Sequence, residues 1–350
     1  RGAVRLDPMK AIVVREDRSL DWTEVPEPRC GPQEVILAIQ ASAVNRADLL
    51  QRRGLYPPPP GAPEWMGLEA SGTIEAIGDG VRARGTWQPG DAACALLAGG
   101  GYAERVAVHE SLLLPVPRGL EVISAASIPE VFATAYLNLI LEGGLQAGER
   151  VLIHAGASGV GTAAIQVARW RGADVVVTVG SEAKAAAARA LGAGHVIEYK
   201  REDVTTAFHP MAGGGTGSQP DEPGSAAARG IDVVLDCLGG ESVGAHLPLL
   251  NPGGRWILIG LMNGPTTSLD LRPFLARRLR LVGSTLRSRP LAEKGALLEA
   301  MRRDLWPQFV SGAIRPVIHR VLPITQAEQA HELVRRNESI GKVVLTIDRG

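Results

Sequence analysis

The sequence predicts an α/β protein in two parts, a twisted, mostly antiparallel β domain and a doubly wound parallel sheet. Three observations carry this. The first third of the chain is a series of short apolar runs divided by Pro and Gly, as at 34–41, 70–77 and 91–97, the pattern of short strands joined by turns. From about Ser124 the pattern changes to apolar runs that alternate with Ala-rich helical stretches. One of those runs, within Val151 to Ala168 (VLIHAGASGVGTAAIQVA), enters a glycine-rich turn that opens directly into an amphipathic segment.

Taken in order, Met9 reads as the natural start, with Arg1 to Pro8 an extension outside the fold. The Pro-punctuated strands follow to about Val116. Six strands are then expected at 151–154, 174–179, 195–197, 231–236, 255–259 and 280–283, which with their intervening helices make the parallel sheet. The Gly, Ser, Pro and Ala-rich stretch at 210–230 has too little apolar surface to order itself and reads as a flexible surface insertion. A helix at 291–310 is followed by strand composition at 315–322 and 342–347 around a helix at 326–336; these last segments are expected to rejoin the first domain. The resulting boundaries are 9–130 with 313–350 for the β-rich domain, and 131–312 for the parallel-sheet domain.

Composition narrows the function. In 350 residues, 45% hydrophobic and 21% charged positions suffice for two cores. Lys plus Arg equals Asp plus Glu at 37 each, so no global field favours nucleic acid or an acidic membrane. Three widely separated cysteines, Cys30, Cys94 and Cys237, form no CxxC pair and point to a reducing compartment. With no run of 18 apolar residues and no signal-like apolar stretch in the first ten, a cytoplasmic location is expected.

The glycine-rich turn suits a dinucleotide pyrophosphate. Gly156, Gly159 and Gly161 leave the backbone without Cβ atoms where phosphates must approach, and the N–H groups opening the next helix point at the anion. The spacing is G-x-x-G-x-G rather than G-x-G-x-x-G, so the surrounding strand, helix, strand order carries the assignment. An NAD site places an Asp or Glu about 20 residues beyond the glycines, whereas an NADP site leaves that charge out. Here the second strand ends in Val179, Gly180 and Ser181, with Lys184 one turn on and Tyr199 after the third strand, so NADPH is expected. Glu182 is the awkward neighbour, although a helix first turn favours an acidic residue by itself.

The order of these parts resembles the zinc-free quinone oxidoreductases of the medium-chain dehydrogenase/reductase superfamily. The resemblance runs from Met9 nearly to the end and is carried by NRADLLQRRGLYPPPPGAP (45–63), GLEASG (67–72), LIHAGASGVGTAAIQ (152–166), LDCLGG (235–240) and IGKVVL (340–345). It implies a GroES-like catalytic domain and a Rossmann domain. The cofactor residues it implies are Thr134, Gly156, Ser158, Gly159, Val160, Gly161, Gly180, Ser181, Lys184, Tyr199, Cys237, Leu238, Gly260 and Leu261. It also implies a homodimer in which the strand near 280–284 pairs with its copy.

Zinc-dependent relatives supply Cys and His ligands in the segment that here reads Val44 to Asp48, and a Gly-His-Glu where this chain has Gly67-Leu68-Glu69. Asn45 and Leu68 therefore point to metal-free chemistry. Without a Lewis acid, the favoured acceptor takes hydride unaided, as a quinone does, with an activated enone next. Tyr56 is the leading candidate to meet the developing oxygen, Asn45 to hold nicotinamide or substrate carbonyls, and Asp48 to orient that network or cap a helix beginning there. The expectation is an NADPH:quinone oxidoreductase without flavin. Its enzymatic alternative is an alkenal, enone or enoyl-thioester double-bond reductase. An NADPH-binding structural or RNA-binding protein is the non-enzymatic alternative, against which the neutral charge and the absence of interleaved Arg and aromatic runs both count.

Overall fold

The computed structural model describes residues 8–207 and 230–348. Residues 210–229 of the insertion predicted at 210–230, and 1–7 of the extension predicted at 1–8, lie outside the described residues; Pro8, expected outside the fold, instead pairs with Pro26 in the first hairpin. The chain divides into two units, one running to Ala133 and resuming at Leu286, the other spanning Thr134–Thr285.

In the first unit, β1 (Pro8–Val14) and β2 (Leu20–Pro26) make an antiparallel hairpin. β3 (Glu34–Ala43), β4 (Glu69–Ile77), β5 (Ala92–Leu96), β6 (Arg105–His109) and β7 (Leu113–Pro115) pair antiparallel throughout, with β3 between β4 and β6. β5, β6 and β7 are short, five residues or fewer, as the sequence suggests, whereas β3 runs for ten residues and β4 for nine.

The second unit is the parallel sheet. β8 (Arg150–Ile153), β9 (Asp174–Val179), β10 (His195–Glu198), β11 (Ile231–Asp236), β12 (Leu250–Leu258) and β13 (Arg280–Gly283) run in the order β10-β9-β8-β11-β12-β13, every pair parallel. Strand order reverses between β8 and β11, the position at whose carboxyl ends such sheets bind ligands. Leu152, Val176, Val234 and Trp256 fill the core on one side of the sheet. β12 starts at Leu250, earlier than the sequence indicates. Its Asn251-Pro252-Gly253-Gly254 reads as a turn, and the β11–β12 register accommodates it by a shift between Ile231 and Val233.

The chain then returns. β14 (Ile318–Pro323) pairs parallel with β15 (Lys342–Thr346), and β15 pairs antiparallel with β3, matching Val344 to Ala43. The return begins sooner than the sequence boundary at 313. The helix Leu291–Ser311 belongs to the first unit, where Phe309 meets Phe132 edge to face at 4.9 Å and Trp306 Nε1 donates to the Pro115 carbonyl at 3.0 Å. A helix after a sixth parallel strand has the same periodicity whichever body it packs on, so sequence spacing alone misplaces it.

Candidate functional site

The nucleotide loop lies at the carboxyl end of β8. Ala155 adopts a left-handed φ of 53°, and Ser158 caps the helix Gly159–Trp170 by accepting from the Gly161 N–H at 3.0 Å. A Cβ at Gly161 would drive into the Ala155 carbonyl, so this turn closes only on glycine. Ser158, Gly159 and Val160 are part-exposed at the helix start, while Gly156 and Gly161 are buried beneath them. A helix N-terminus with part-exposed first-turn residues is an anion site, and the fit to a pyrophosphate is good.

The neighbouring strand ends gather the other predicted residues. A Cβ built on Gly180 would come within 2.6 Å of the Tyr199 phenol oxygen, which sets these two residues side by side with Tyr199 57% exposed. Ser181 caps the helix Glu182–Leu191 by position, without a side-chain hydrogen bond to it. Glu182 is paired with Arg189 at 2.9 Å, which offsets the carboxylate that sat awkwardly beside a phosphate. At the ends of β11 and β12, Cys237 and Leu238 face Gly260 and the exposed Leu261. The two loops are tied by Met262 N–H to the Cys237 carbonyl at 3.3 Å and Asn263 N–H to that of Leu238 at 2.7 Å. Thr134 lies on the helix Pro129–Tyr136, its carbonyl accepting from Asn138 Nδ2 at 2.8 Å.

The first unit holds a polar cluster at the end of β3. Pairing of β15 with β3 delivers Lys342 to Asn45. Its ammonium, 3% exposed, bonds the Asn45 Oδ1 at 2.6 Å, the Val44 carbonyl at 2.7 Å and the fully buried Glu69 carboxylate at 2.8 Å. Asn45 Nδ2 donates to Glu69 at 3.0 Å and to the Ala43 carbonyl at 3.2 Å. The amide of Asn45 is thus engaged at both ends, and holding a nicotinamide or substrate carbonyl would require one of these bonds to be given up.

Asp48 caps the helix that begins there and is bonded within the buried cluster. Its carboxylate closes on the Asn45 N–H at 2.8 Å at the start of the helix Arg46–Arg52, and it accepts the Gly67 N–H and the Tyr102 hydroxyl, each at 3.2 Å. Tyr102 also meets His331 Nε2 at 3.2 Å. Burial raises the Asp48 carboxyl to about 6 against the lowering effect of its hydrogen bonds and Lys342. Fully buried, Asp48 orients the cluster and presents nothing to solvent.

Tyr56 is held from a direction the sequence did not reveal. Arg287, 5% exposed, donates to the carbonyls of Ala98 at 2.8 Å and Tyr56 at 3.2 Å and to Gln51 Oε1 at 2.8 Å. Its guanidinium also stands 5.1 Å from the centre of the Tyr56 ring. Burial and then Glu130 push the phenol above its ordinary value. Tyr56 therefore belongs to a charged assembly and is not merely packed on prolines. Of the cluster, Glu69 and Lys342 lay inside quoted motifs without an assigned role. Tyr102, Glu130, Arg287 and His331 had no local signal.

Residues 31–118 match the family described as alcohol dehydrogenase GroES-like domain, and 159–302 match the zinc-binding dehydrogenase family. The quinone oxidoreductase of Thermus thermophilus, solved also with NADPH, is 33% identical with a TM-score of 0.78, covering 97% of this chain and 100% of that one. The chain belongs to the medium-chain dehydrogenase/reductase superfamily. JamJ enoyl reductase is similar at 26% identity and a TM-score of 0.81, over 97% of this chain and 99% of that one. The highly reducing polyketide synthase easB of Emericella nidulans is 32% identical over 94% of this chain and 12% of the synthase. The chain thus spans only 8–13% of the polyketide synthases it matches.

Proposed function

We propose that the protein is an NADPH:quinone oxidoreductase of the zinc-free and flavin-free kind. The observation that carries this is the buried Lys342 ammonium, bonded to Asn45 and Glu69 beside the positions where zinc-dependent relatives place Cys and His. An amide, a leucine and a lysine make a poor zinc donor set, so the acceptor must take electrons without a Lewis acid. The motifs at 45–63, 67–72, 152–166, 235–240 and 340–345 also resemble the p53-induced quinone oxidoreductase.

NADPH supplies the hydride when bound. The N–H groups opening the helix Gly159–Trp170 hold its pyrophosphate, and Ser181, Lys184 and Tyr199 surround its 2′-phosphate. Thr134, Cys237, Leu238, Gly260 and Leu261 line the nicotinamide half, as the family resemblance implies. Tyr56 offers its hydroxyl to the acceptor oxygen, and Asn45 and Asp48 fix the backbone behind it. A cytoplasmic homodimer is part of this proposal.

The double-bond reductase reading is favoured by the likeness to JamJ enoyl reductase. Steady-state assays at one NADPH concentration decide between them. The proposal expects a higher kcat/KM for a quinone than for an alkenal or an enoyl thioester; the reverse order would replace it.

A further inference from the structure

We infer that Arg287 and Gln51 form a clamp that positions Tyr56 for the acceptor: the guanidinium fixes the backbone and the ring of the tyrosine, and the glutamine joins that fork to the far end of the proline-rich loop. This deepens the reductase proposal above and rests on its assignment of Tyr56.

The loop's composition makes such a clamp necessary. Five of the ten residues from Leu55 to Glu64 are proline, which has no N–H to give, so the segment cannot tie itself down by backbone ladders. Its entry is set by the end of the helix Arg46–Arg52. Gly54 takes a left-handed φ of 75°, its N–H donates to the Gln51 carbonyl at 2.8 Å, and the Leu55 N–H donates to that of Leu50 at 2.9 Å, the two bonds of a Schellman motif. Two side chains then reach the carbonyls of the loop. Arg287 gives Nη1 to the carbonyl of Tyr56 at 3.2 Å, and Gln51 gives Nε2 to that of Glu64 at 2.9 Å. Because Arg287 Nη2 donates to Gln51 Oε1 at 2.8 Å, one glutamine amide connects the two anchors.

These bonds close into a ring. Arg287 Nε donates to the Ala98 carbonyl at 2.8 Å and, two residues on, the Gly100 N–H donates to the carbonyl of Trp65 at 2.9 Å, next to Glu64. All of these residues belong to the first unit. The helix that presents Gln51 is anchored in turn, with Arg52 Nε donating to the Arg18 carbonyl at 2.6 Å and Arg52 paired with Glu328 at 2.7 Å. The guanidinium also stands 5.1 Å from the centre of the Tyr56 ring, so one group sets both the course of the backbone and the place of the phenol. Arginine suits this task because its planar fork holds donors in fixed directions, whereas a lysine ammonium is a point charge on a flexible stem.

Arg287→Lys keeps the charge and loses the fork, and Gln51→Met removes the bridge at a part-exposed residue. Each should lower kcat/KM for a quinone by about tenfold or less, and by no more than Tyr56→Phe does, with KM for NADPH unchanged. Added to Tyr56→Phe, neither should cost anything more, because the clamp acts through the phenol hydroxyl. Combined with each other, their losses should not multiply, since either one opens the same ring. Without cofactor or acceptor, hydrogen exchange at the Gly54 and Leu55 amides should be about tenfold faster in both variants than in the wild type, while exchange in β8 stays unchanged. Unchanged exchange at Gly54 and Leu55 in both variants, or losses that multiply with that of Tyr56→Phe, would each overturn the clamp. Faster exchange with undiminished turnover, where Tyr56→Phe itself slows the enzyme, would overturn the positioning role and leave a structural tie. If Tyr56→Phe changes nothing, or the wild type reduces neither quinone nor enone, the functional reading fails and takes the positioning role with it. That outcome is recognised separately, because the exchange measurement needs no turnover.

Discussion

Lys184 stands in the first turn of the helix Glu182–Leu191, close in sequence to Ser181, whose side chain does not cap that helix. Arg189 holds Glu182, so the local field near the strand end is less negative than the bare sequence suggests. A lysine contact to a phosphate is worth about 1.5 to 3 kcal/mol, or roughly ten- to a hundredfold in affinity. Lys184→Ala should therefore weaken NADPH by that factor and NADH far less; equal losses in a calorimetric titration would remove the 2′-phosphate assignment. Tyr56 asks a different question. Quinones need little protonation to accept hydride, so Tyr56→Phe should lower quinone turnover by about tenfold or less and enone turnover by about a hundredfold. A hundredfold fall with the quinone as well would make the phenol an obligate acid, whereas no change with any acceptor would return Tyr56 to packing. Both residues could be nominated from the sequence because each lies in a short local pattern. Lys342 was not, since it meets Asn45 across 297 positions, a distance no local pattern spans.

At the level of elements, the end of β8 carries a second consequence. His154 is 3% exposed, its Nδ1 against the Thr178 hydroxyl at 3.0 Å and its ring 5.5 Å from that of His246. Burial, and then His246, hold it down to about 3. An unfolded histidine takes its proton near 6.5, so between that value and about 3 the unfolded chain binds more protons than the folded one. Stability from His154 is thus complete above roughly pH 6.5 and is lost as pH falls, at about 1.4 kcal/mol per pH unit for a buried group. His154→Asn sacrifices packing at every pH but removes this slope. The gap between wild-type and variant melting midpoints should narrow steadily as pH is lowered from 7 towards 4; parallel curves would show that His154 does not titrate differently on folding. The strand itself was readable from VLIH leading into the glycine-rich turn. Its partner His246 sits beyond β11, and only the parallel crossover brings the two rings together.

For the molecule as a whole, the two-part architecture was legible because hydrophobic periodicity changes once, near Ser124, and changes back after the helix Leu291–Ser311. What escaped was which unit that helix joins, a matter of side-chain fit at Phe132 and Phe309. The metal question also belongs at this scale, because the cluster that bears on it draws on β3, β4 and β15 together. With the Lys342 ammonium satisfying Asn45 and Glu69, exhaustive chelation should leave turnover unchanged. Activity lost on chelation and restored by zinc alone would reverse that expectation.

The edge of the parallel sheet gives the last prediction. β13 pairs with β12 on one side and ends the sheet order, yet its residues are exposed or half-exposed and include Leu281 at 41%. Leu271 at 67% and Leu275 at 86%, at and within the helix Arg272–Arg277, add apolar surface in the segment leading to this strand. An unpaired strand edge bearing apolar side chains is a template for another chain, and a two-fold axis lets the same strand of a second copy pair with it in a closed contact. We therefore expect a homodimer whose sheet runs through two copies of β13. A charge on an edge strand is the ordinary way to prevent such pairing, so Leu281→Lys should convert the dimer to monomer in sedimentation equilibrium at micromolar concentration. NADPH affinity per chain should be retained, since the residues assigned to the nucleotide lie at the carboxyl ends of β8 to β12 and on the helix Pro129–Tyr136, and not on β13. A wild type that sediments as a monomer, or a variant that stays dimeric, would place the contact elsewhere or remove it.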